Sequence, residues 1–268
     1  MVIVSVAVSR PWGREVSMSL VYAYQSDTGQ TRQHNEDYIW VNGEAGIFIV
    51  ADGVGGQEAG EMASRLTATT VAQQITAGIN TGAGPLTPAE IEKLLLRALE
   101  VSNETVLAAA QKEGQLRQMG STIVVVLVQL PSVYICHAGD TRAYLVHGGA
   151  LTQLTEDDSY VAELVAAGVI SKEDAKSHPY TSVITKAIGQ DPPLEPTFAQ
   201  LQVESGDWLL LCSDGLTNMV SEEEMLAQVK KSKGSPDYVV KTLTNAANEA
   251  GGRDNISIVA IRVLPEEK

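Results

Sequence analysis

A glycine-rich and acidic loop follows an apolar run near residue 50: Val50-Ala51-Asp52-Gly53-Val54-Gly55-Gly56-Gln57-Glu58-Ala59-Gly60. Glycines between a strand and a helix are typical of a phosphate cradle. The dinucleotide pattern G-x-G-x-x-G fails here at Glu58, and the P-loop pattern fails at Glu61. Because these acids would repel a bare phosphate, either a positive ion separates the loop from any phosphate or the loop is only a turn.

The composition is that of a globular protein. The chain has 268 residues, of which 44% are hydrophobic, so it can form a sizeable core. A formal net charge of −14 argues against a nucleic-acid partner. No apolar run approaches the roughly 20 residues of a membrane span, so we expect no membrane association. Cys136 and Cys212 form neither a zinc spacing nor a disulfide framework, which favours the cytoplasm.

The first 19 residues form an N-terminal extension of uncertain status. Residues 2–8 are mostly apolar but follow no basic segment, which disfavours a signal peptide. The alternatives are a mis-assigned or disordered extension before Met18, or an extra edge strand. We place one domain at 20–265 and a short tail at 266–268.

Hydrophobic patterns predict an α+β fold with antiparallel sheets. Helical patterns lie at 57–76, behind the capping box at Thr87–Glu90, and at 221–231 and 236–250. Residues 156–190 are polar and helix-prone, and we interpret them as a surface insertion. Apolar and β-branched runs predict nine strands, at 19–25, 37–42, 46–51, 121–129, 133–137, 142–147, 150–154, 208–212 and 256–263.

Acidic residues recur at the ends of these predicted strands. They are Asp52, Asp140, Asp214, the pair Glu36-Asp37, and Asp254 with Asn255. Each alone is an ordinary turn, but five such sites predict a convergent cluster. Two carboxylates about 4 Å apart repel by roughly 4 kcal/mol at an effective dielectric of 20, so a cluster needs cations. Oxygen ligands favour Mg²⁺ or Mn²⁺, and a pair of ions would turn a bridging water into a hydroxide nucleophile.

Six motifs in this order resemble the bacterial metal-dependent protein phosphatases of the PP2C (PPM) family. They are Thr31–Asp37, Ala51–Gly56, Gly120–Thr122, Ala138–Arg142, Cys212–Leu216 and Gly252–Asn255. The resemblance covers about residues 20–265. It implies a four-layer α-β-β-α sandwich, in which two antiparallel β-sheets are flanked by helix pairs. It also implies a monomer that hydrolyses phosphoserine and phosphothreonine on proteins, including Ser/Thr kinases and their substrates.

The resemblance also implies a set of metal ligands. Asp52 would bridge two Mg²⁺ or Mn²⁺ ions, and the Gly53 carbonyl would bind one of them. Asp214 and Asp254 would complete the first metal site. Asp140, together with Asp214, matches a third and weaker metal site. The attacking group would be a hydroxide that bridges the two core ions, and no covalent enzyme intermediate would form.

Other residues would act around the ions. Glu36 and Asp37 would hold metal-bound waters, which places Asp37 beside Asp52 among the catalytic residues. Asn255 would support the site. Arg32 would bind the substrate phosphate, because a guanidinium can fork onto phosphate oxygens; a surface ion pair is its alternative role. Residues 155–188 would form a flap beside the site.

Three positions depart from the family pattern. Val54 stands where animal relatives carry a histidine proposed as the acid for the leaving group. Lys186 stands where an arginine is common. The flap begins Asp157-Asp158-Ser159, where bacterial members often have Asp-His-Ser. The last two departures concern the flap and substrate choice rather than the metal site.

Rival functions remain at this stage. Cys136–Arg142 spells C-x-x-G-x-x-R, the pattern of cysteine-dependent tyrosine phosphatases, but a strand rather than the required helix is predicted after it. A PP2C-fold pseudophosphatase acting as a regulatory binding module is the non-enzymatic alternative. A two-metal nuclease is disfavoured by the acidic charge.

Overall fold

The computed structural model describes residues 2–6, 18–80, 85–113, 119–191 and 193–265. Two antiparallel sheets form its centre. The first sheet has the strand order β1-β2-β11-β10-β7-β8. Its strands are β1 (Val2–Val6), β2 (Met18–Asp27), β7 (Arg142–His147), β8 (Ala150–Gln153), β10 (Trp208–Cys212) and β11 (Ile256–Pro265). Neighbouring strands in this sheet all run antiparallel.

The second sheet has the strand order β3-β4-β5-β6-β9, again with antiparallel neighbours. Its strands are β3 (Asp37–Asn42), β4 (Ile47–Val54), β5 (Gly120–Gln129), β6 (Ser132–Ala138) and β9 (Thr197–Gln202). β5 and β6 form a hairpin through Leu130-Pro131, as the sequence predicts for residues 121–137.

The described residues form the helices α1 (Gln57–Ile79), α2 (Pro88–Glu113), α3 (Tyr160–Ala166), α4 (Lys172–Lys176), α5 (Asp214–Thr217), α6 (Glu222–Lys231) and α7 (Pro236–Glu249). Four of them cover the outer faces of the two sheets. α1 and α2 pack on the second sheet, and α6 and α7 pack on the first. This is the predicted α-β-β-α sandwich, and the fold class is confirmed.

The alternation along β4 shows why its sequence is apolar throughout. Ile47, Ile49 and Ala51 pack with α1 and α2, whereas Phe48 and Val50 pack between the two sheets. Successive strand residues point to opposite faces, so a strand with cover on both sides must be apolar at every position. Helix α2 begins at the predicted capping box, where the Thr87 amide donates to Glu90 Oε2 at 2.7 Å.

Some elements differ from the sequence predictions. Residues 52–54 were expected to form a turn after a strand, but they continue β4, paired with residues 120–122 of β5. The strand β9 and the short helix α5 were not predicted. Residues 2–6 form an edge strand on β2, whereas the rest of the extension ahead of Met18 and the tail at 266–268 lie outside the described residues.

The predicted flap, 155–188, contains α3 and α4. Its two arms pair with each other where Ser159 bridges to Ile184, and Ile188 bridges to Ser121 near the start of β5. The Asp158 amide donates to the Gly139 carbonyl at 3.0 Å, so the flap borders the turn between β6 and β7 that carries Asp140. Within the described ranges, no helix combines the length and the apolar character that crossing a membrane requires.

Candidate metal centre

Five aspartates from distant parts of the chain lie close to one another at the ends of the strands. Asp37 on β3 is the direct partner of Asp52 on β4. Asp214 begins α5 immediately after β10, Asp140 lies in the β6–β7 turn, and Asp254 lies two residues before β11. Asp52 interacts electrostatically with all four of the others. The structure thus brings together the acids that the sequence predicted to converge.

Burial and crowding raise the pKa values of several of these acids. Burial, followed by repulsion from Asp37 and the other acids, raises the pKa of Asp52 well above its usual value. Burial also raises the pKa of Asp37 to about 7, with further repulsion from Asp214 and Asp254. The pKa of Asp140 rises to about 7 for the same two reasons. These carboxylates need a compensating positive charge to be ionised together.

Hydrogen bonds from serine and asparagine orient individual carboxylates. Ser213 Oγ donates to Asp37 Oδ2 at 2.8 Å, and Ser213 Oγ in turn accepts the Ser257 amide at 3.0 Å. Asn218, one helical turn after Asp214, donates to Asp214 Oδ2 at 3.0 Å. The sequence motifs predict no role for Ser213 or Asn218, because both contacts depend on how the chain folds.

Asn255 connects two loops behind the acids. Its side-chain amide donates to the carbonyls of Thr28 and His34, both at 2.9 Å. Its side-chain oxygen accepts the Glu36 amide at 2.8 Å. Asn255 is buried, so these bonds hold the segment before β3 against the segment before β11. The residue occupies a position from which it can support the site.

Gly53 lies in a tightly packed part of the site. A Cβ atom here would collide with the Gly60 carbonyl and would lie 2.7 Å from the Glu36 carbonyl. The Gly53 amide donates to that Glu36 carbonyl at 3.1 Å. A Cβ on Gly60 would in turn collide with the Glu36 carboxylate, which is buried. Only glycine lets β4, α1 and the Glu36 loop approach so closely.

Arg32, the basic residue in the predicted set, lies at the edge of the cluster. Its Nη2 lies 2.7 Å from Asp254 Oδ2, and both side chains are partly exposed. Asp52 and Glu36 also interact with it electrostatically. The contact with Asp254 matches the ion-pair alternative for Arg32, while the exposed guanidinium borders the acids and is open to a ligand.

The donor set fits a hard divalent cation. It consists of oxygens, which Mg²⁺ and Mn²⁺ prefer, and the buried Asp37 Oδ1 has no hydrogen-bond partner. Across the described ranges, no group of three or more acidic, histidine or cysteine side chains is arranged to bind a metal ion directly. Because these ions retain several waters, a site of few direct ligands and water-linked acids remains compatible with them.

The cysteine-based alternative does not agree with the geometry. Cys136 is buried within β6 on the face towards α1 and α2, and burial raises the pKa of its thiol to about 12. Arg142 makes a two-pronged ion pair with Asp157, at 2.8 and 2.6 Å, rather than facing the thiol. The segment after the turn is the strand β7 and not a helix. A thiolate nucleophile is therefore excluded at this position.

Comparison with known proteins agrees with this geometry. The family model for protein phosphatase 2C matches residues 26–251. The chain belongs to the protein phosphatase 2C family. The serine/threonine phosphatase stp of Listeria welshimeri is 39% identical over 241 residues, which cover 89% of this chain and 94% of that protein.

Solved structures of this family show the same fold. The Mycobacterium tuberculosis serine/threonine phosphatase PstP/Ppp superposes with a TM-score of 0.80 at 34% identity, covering 92% of this chain and 99% of that one. The catalytic domain of the phosphatase PstP, solved with two manganese ions, gives a TM-score of 0.79 at 32% identity, covering 92% and 99%. The present chain is a bacterial protein serine/threonine phosphatase of the 2C type, and its family depends on divalent metal.

Two departures from the family pattern contact each other in the structure. Lys186 Nζ lies 2.8 Å from Asp158 Oδ1. Asp158 Oδ2 accepts the Gly139 amide at 3.1 Å, and the Asp158 amide donates to the Gly139 carbonyl at 3.0 Å. Asp158 thereby links the returning flap segment to the turn that carries Asp140. Both residues stand out in the sequence, but their pairing appears only in the fold.

We expect Lys186→Ala to lower the free energy of unfolding by about 1–2 kcal/mol, because a nearly buried carboxylate loses a charged partner. Lys186→Arg should retain most of the stability. Urea denaturation would measure both. Lys241→Ala, which breaks the exposed Lys241–Asp237 pair, is the matched control and should cost at most about 0.5 kcal/mol. Equal effects of Lys186→Ala and Lys241→Ala would show that the Asp158 pair has no special role.

Proposed function

We propose that this phosphatase hydrolyses phosphoserine and phosphothreonine on proteins by direct attack at phosphorus, with two Mg²⁺ or Mn²⁺ ions held by the acidic cluster. The observation that carries the proposal is the crowding of the partly buried Asp52 with four further aspartates. In a protein of this family, such a set of ionisable oxygens is explained by bound cations. The related PstP domain was solved with two manganese ions, which supports the number.

The residues would divide the work of holding the ions. Asp52, at the centre, would bridge both ions, and the Gly53 carbonyl would complete one site. Asp214 and Asp254 would bind the other ion, and Asp140 with Asp214 would hold a third, weaker one. When bound, the ions would supply a hydroxide nucleophile and offset the phosphate charge.

The remaining predicted residues act on water and substrate. Asp37 and Glu36 are both buried and would hold ordered waters, and Ser213 keeps the Asp37 carboxylate oriented. Arg32 would exchange its contact with Asp254 for the substrate phosphate, since an exposed guanidinium can bind two phosphate oxygens at once. Because Val54 cannot donate a proton, a solvent water would protonate the leaving oxygen.

A direct test is hydrolysis of p-nitrophenyl phosphate by the purified chain, with and without Mn²⁺. We expect turnover that requires Mn²⁺ and that EDTA removes. No turnover at any Mn²⁺ or Mg²⁺ concentration would favour the alternative, a pseudophosphatase that binds partners. A phosphoenzyme trapped by acid quench from ³²P-labelled substrate would contradict direct attack.

The cellular setting follows from the same proposal. Substrates would be phosphorylated proteins, including Ser/Thr kinases and the proteins they modify. Both cysteines are free and buried, which suits a reducing cytoplasm. We propose that the enzyme acts as a monomer, with regulation coming from its substrates and partners.

A further inference from the structure

An uncharged groove lies beside the acidic cluster. Its volume is about 210 Å³, enough for one aliphatic side chain. The walls come from Val54 at the end of β4, Met119-Gly120 at the start of β5, and the segment 187–190. All of these lining residues are uncharged, although five aspartates lie nearby. Val54 is 41% exposed, which makes it one of the few exposed large apolar residues in the described part of the chain.

The groove continues directly from the site. Residues two apart on a strand point to the same face, so the Val54 side chain lies on the face that carries the Asp52 carboxylate. The two residues are separated by roughly 7 Å along β4. An extended peptide advances about 3.3–3.6 Å per residue. A side chain within two residues of a phosphoserine or phosphothreonine would therefore reach the groove.

The walls of the groove are fixed in place. Ile188 and Ser121 exchange backbone hydrogen bonds at 2.9 and 2.8 Å. The Gly189 amide donates to Asn103 Oδ1 at 2.6 Å, and Asn103 donates back to the Gln190 carbonyl at 3.0 Å. Asn103 is buried within α2. A groove that is already formed can bind an apolar group without losing conformational entropy to order its walls.

We infer that this groove binds an apolar side chain of the substrate, located within two residues of the phosphorylated residue. The inference rests on the proposed function, since it extends the same site. It gives Val54 a role as a specificity residue at the position where the family's animal members have a histidine. The preferred substrate is then a phosphoprotein segment with an aliphatic neighbour, such as leucine, and not one with charged neighbours.

Phosphothreonine peptides test this inference. One set carries leucine at each of the positions −2, −1, +1 and +2 in turn, and a matched set carries glutamine. We expect leucine at one of these positions to raise kcat/KM about tenfold, the lower end of what an apolar pocket contributes to discrimination. The difference should lie mainly in KM. Hydrolysis of p-nitrophenyl phosphate, which has no neighbour to place in the groove, is the reference activity.

Variants of Val54 locate the preference. Val54→Thr keeps the branched shape but adds a hydroxyl, and it should reduce the leucine preference at least about threefold. Val54→Phe should fill the groove and abolish the preference. Val183→Thr, a similarly exposed valine on the flap outside the groove lining, is the matched control and should leave the preference intact. Val183→Thr should hydrolyse p-nitrophenyl phosphate within about twofold of the wild type, and for each Val54 variant the preference is the ratio of kcat/KM for the leucine and glutamine peptides of that same variant.

The outcomes separate the two proposals. Turnover of p-nitrophenyl phosphate without any leucine preference would overturn the groove and leave the phosphatase mechanism standing. A leucine preference that survives in Val54→Phe would also overturn it. Failure of the wild type to hydrolyse p-nitrophenyl phosphate with Mn²⁺ would instead refute the proposed function.

Discussion

Replacing Asp52 with asparagine is expected to lower Mn²⁺-dependent phosphatase turnover by at least about 10³-fold. The residue lies at the centre of the acidic cluster and would bridge both ions, so its loss removes a ligand from each. Metal ions contribute several kcal/mol to such a reaction, and each 1.36 kcal/mol is tenfold in rate. Initial rates with p-nitrophenyl phosphate over a range of Mn²⁺ concentrations would measure the change.

The same variant should be more stable than the wild type when metal is removed. Burial and four neighbouring acids raise the pKa of Asp52, so its carboxylate destabilises the metal-free fold. Asparagine carries no charge, and we expect a gain of roughly 1–3 kcal/mol in the free energy of unfolding at pH 7.5 in EDTA. Asp237→Asn, an exposed control on α7, should change neither activity nor stability appreciably. An inactive Asp52→Asn that is also less stable in EDTA would indicate a damaged fold, contrary to this account.

The metal-free protein should lose stability as the pH rises from about 4 to about 7. Asp37 has its pKa raised from 3.8 to about 7 in the folded state, so the folded chain binds a proton that the unfolded chain has released. The stabilisation is complete below pH 3.8 and is lost as the pH rises through 7. Between pH 5 and pH 7, Asp37 alone would account for roughly 2 kcal/mol, at 1.36 kcal/mol per unit and with the carboxyl half ionised at pH 7.

Urea denaturation in EDTA at pH 5, 6, 7 and 8 would measure this dependence. Saturating Mn²⁺ should remove most of the change in unfolding free energy with pH, because the ions compensate the ionised carboxylates and bind only the folded chain. Asp37→Asn should reduce that change in part without metal. Stability in EDTA that is constant or rises over this interval would show that the acids are not crowded as the structure indicates.

The sequence could predict most of the fold because the hydrophobic patterns and the turn residues between them indicate the same strands and helices. The strands Asp37–Asn42, Arg142–His147 and Trp208–Cys212 have the predicted bounds. The strand β9 was missed because it is a half-exposed edge strand beginning after Pro196, so its apolar signal is weak. Helix α5 has four residues, too few to show a helical period.

The candidate site could be predicted only in part. The five aspartates were found because each belongs to a short motif that can be read locally. The contacts of Ser213 with Asp37 and of Lys186 with Asp158 join residues 176 and 28 positions apart. Neither pair leaves a local pattern, so only the fold reveals them. The same limit applies to the groove at Val54, whose walls come from three separate segments.

The most direct test of the central claim compares two variants in one assay, the Mn²⁺-dependent release of phosphate from a phosphothreonine peptide. If clustered aspartates that hold metal perform the reaction, Asp214→Asn should lose activity by about 10³-fold or more, and Cys136→Ser should stay within about twofold of the wild type. EDTA should abolish activity in every active form. An active Asp214→Asn together with an inactive but folded Cys136→Ser would contradict the account.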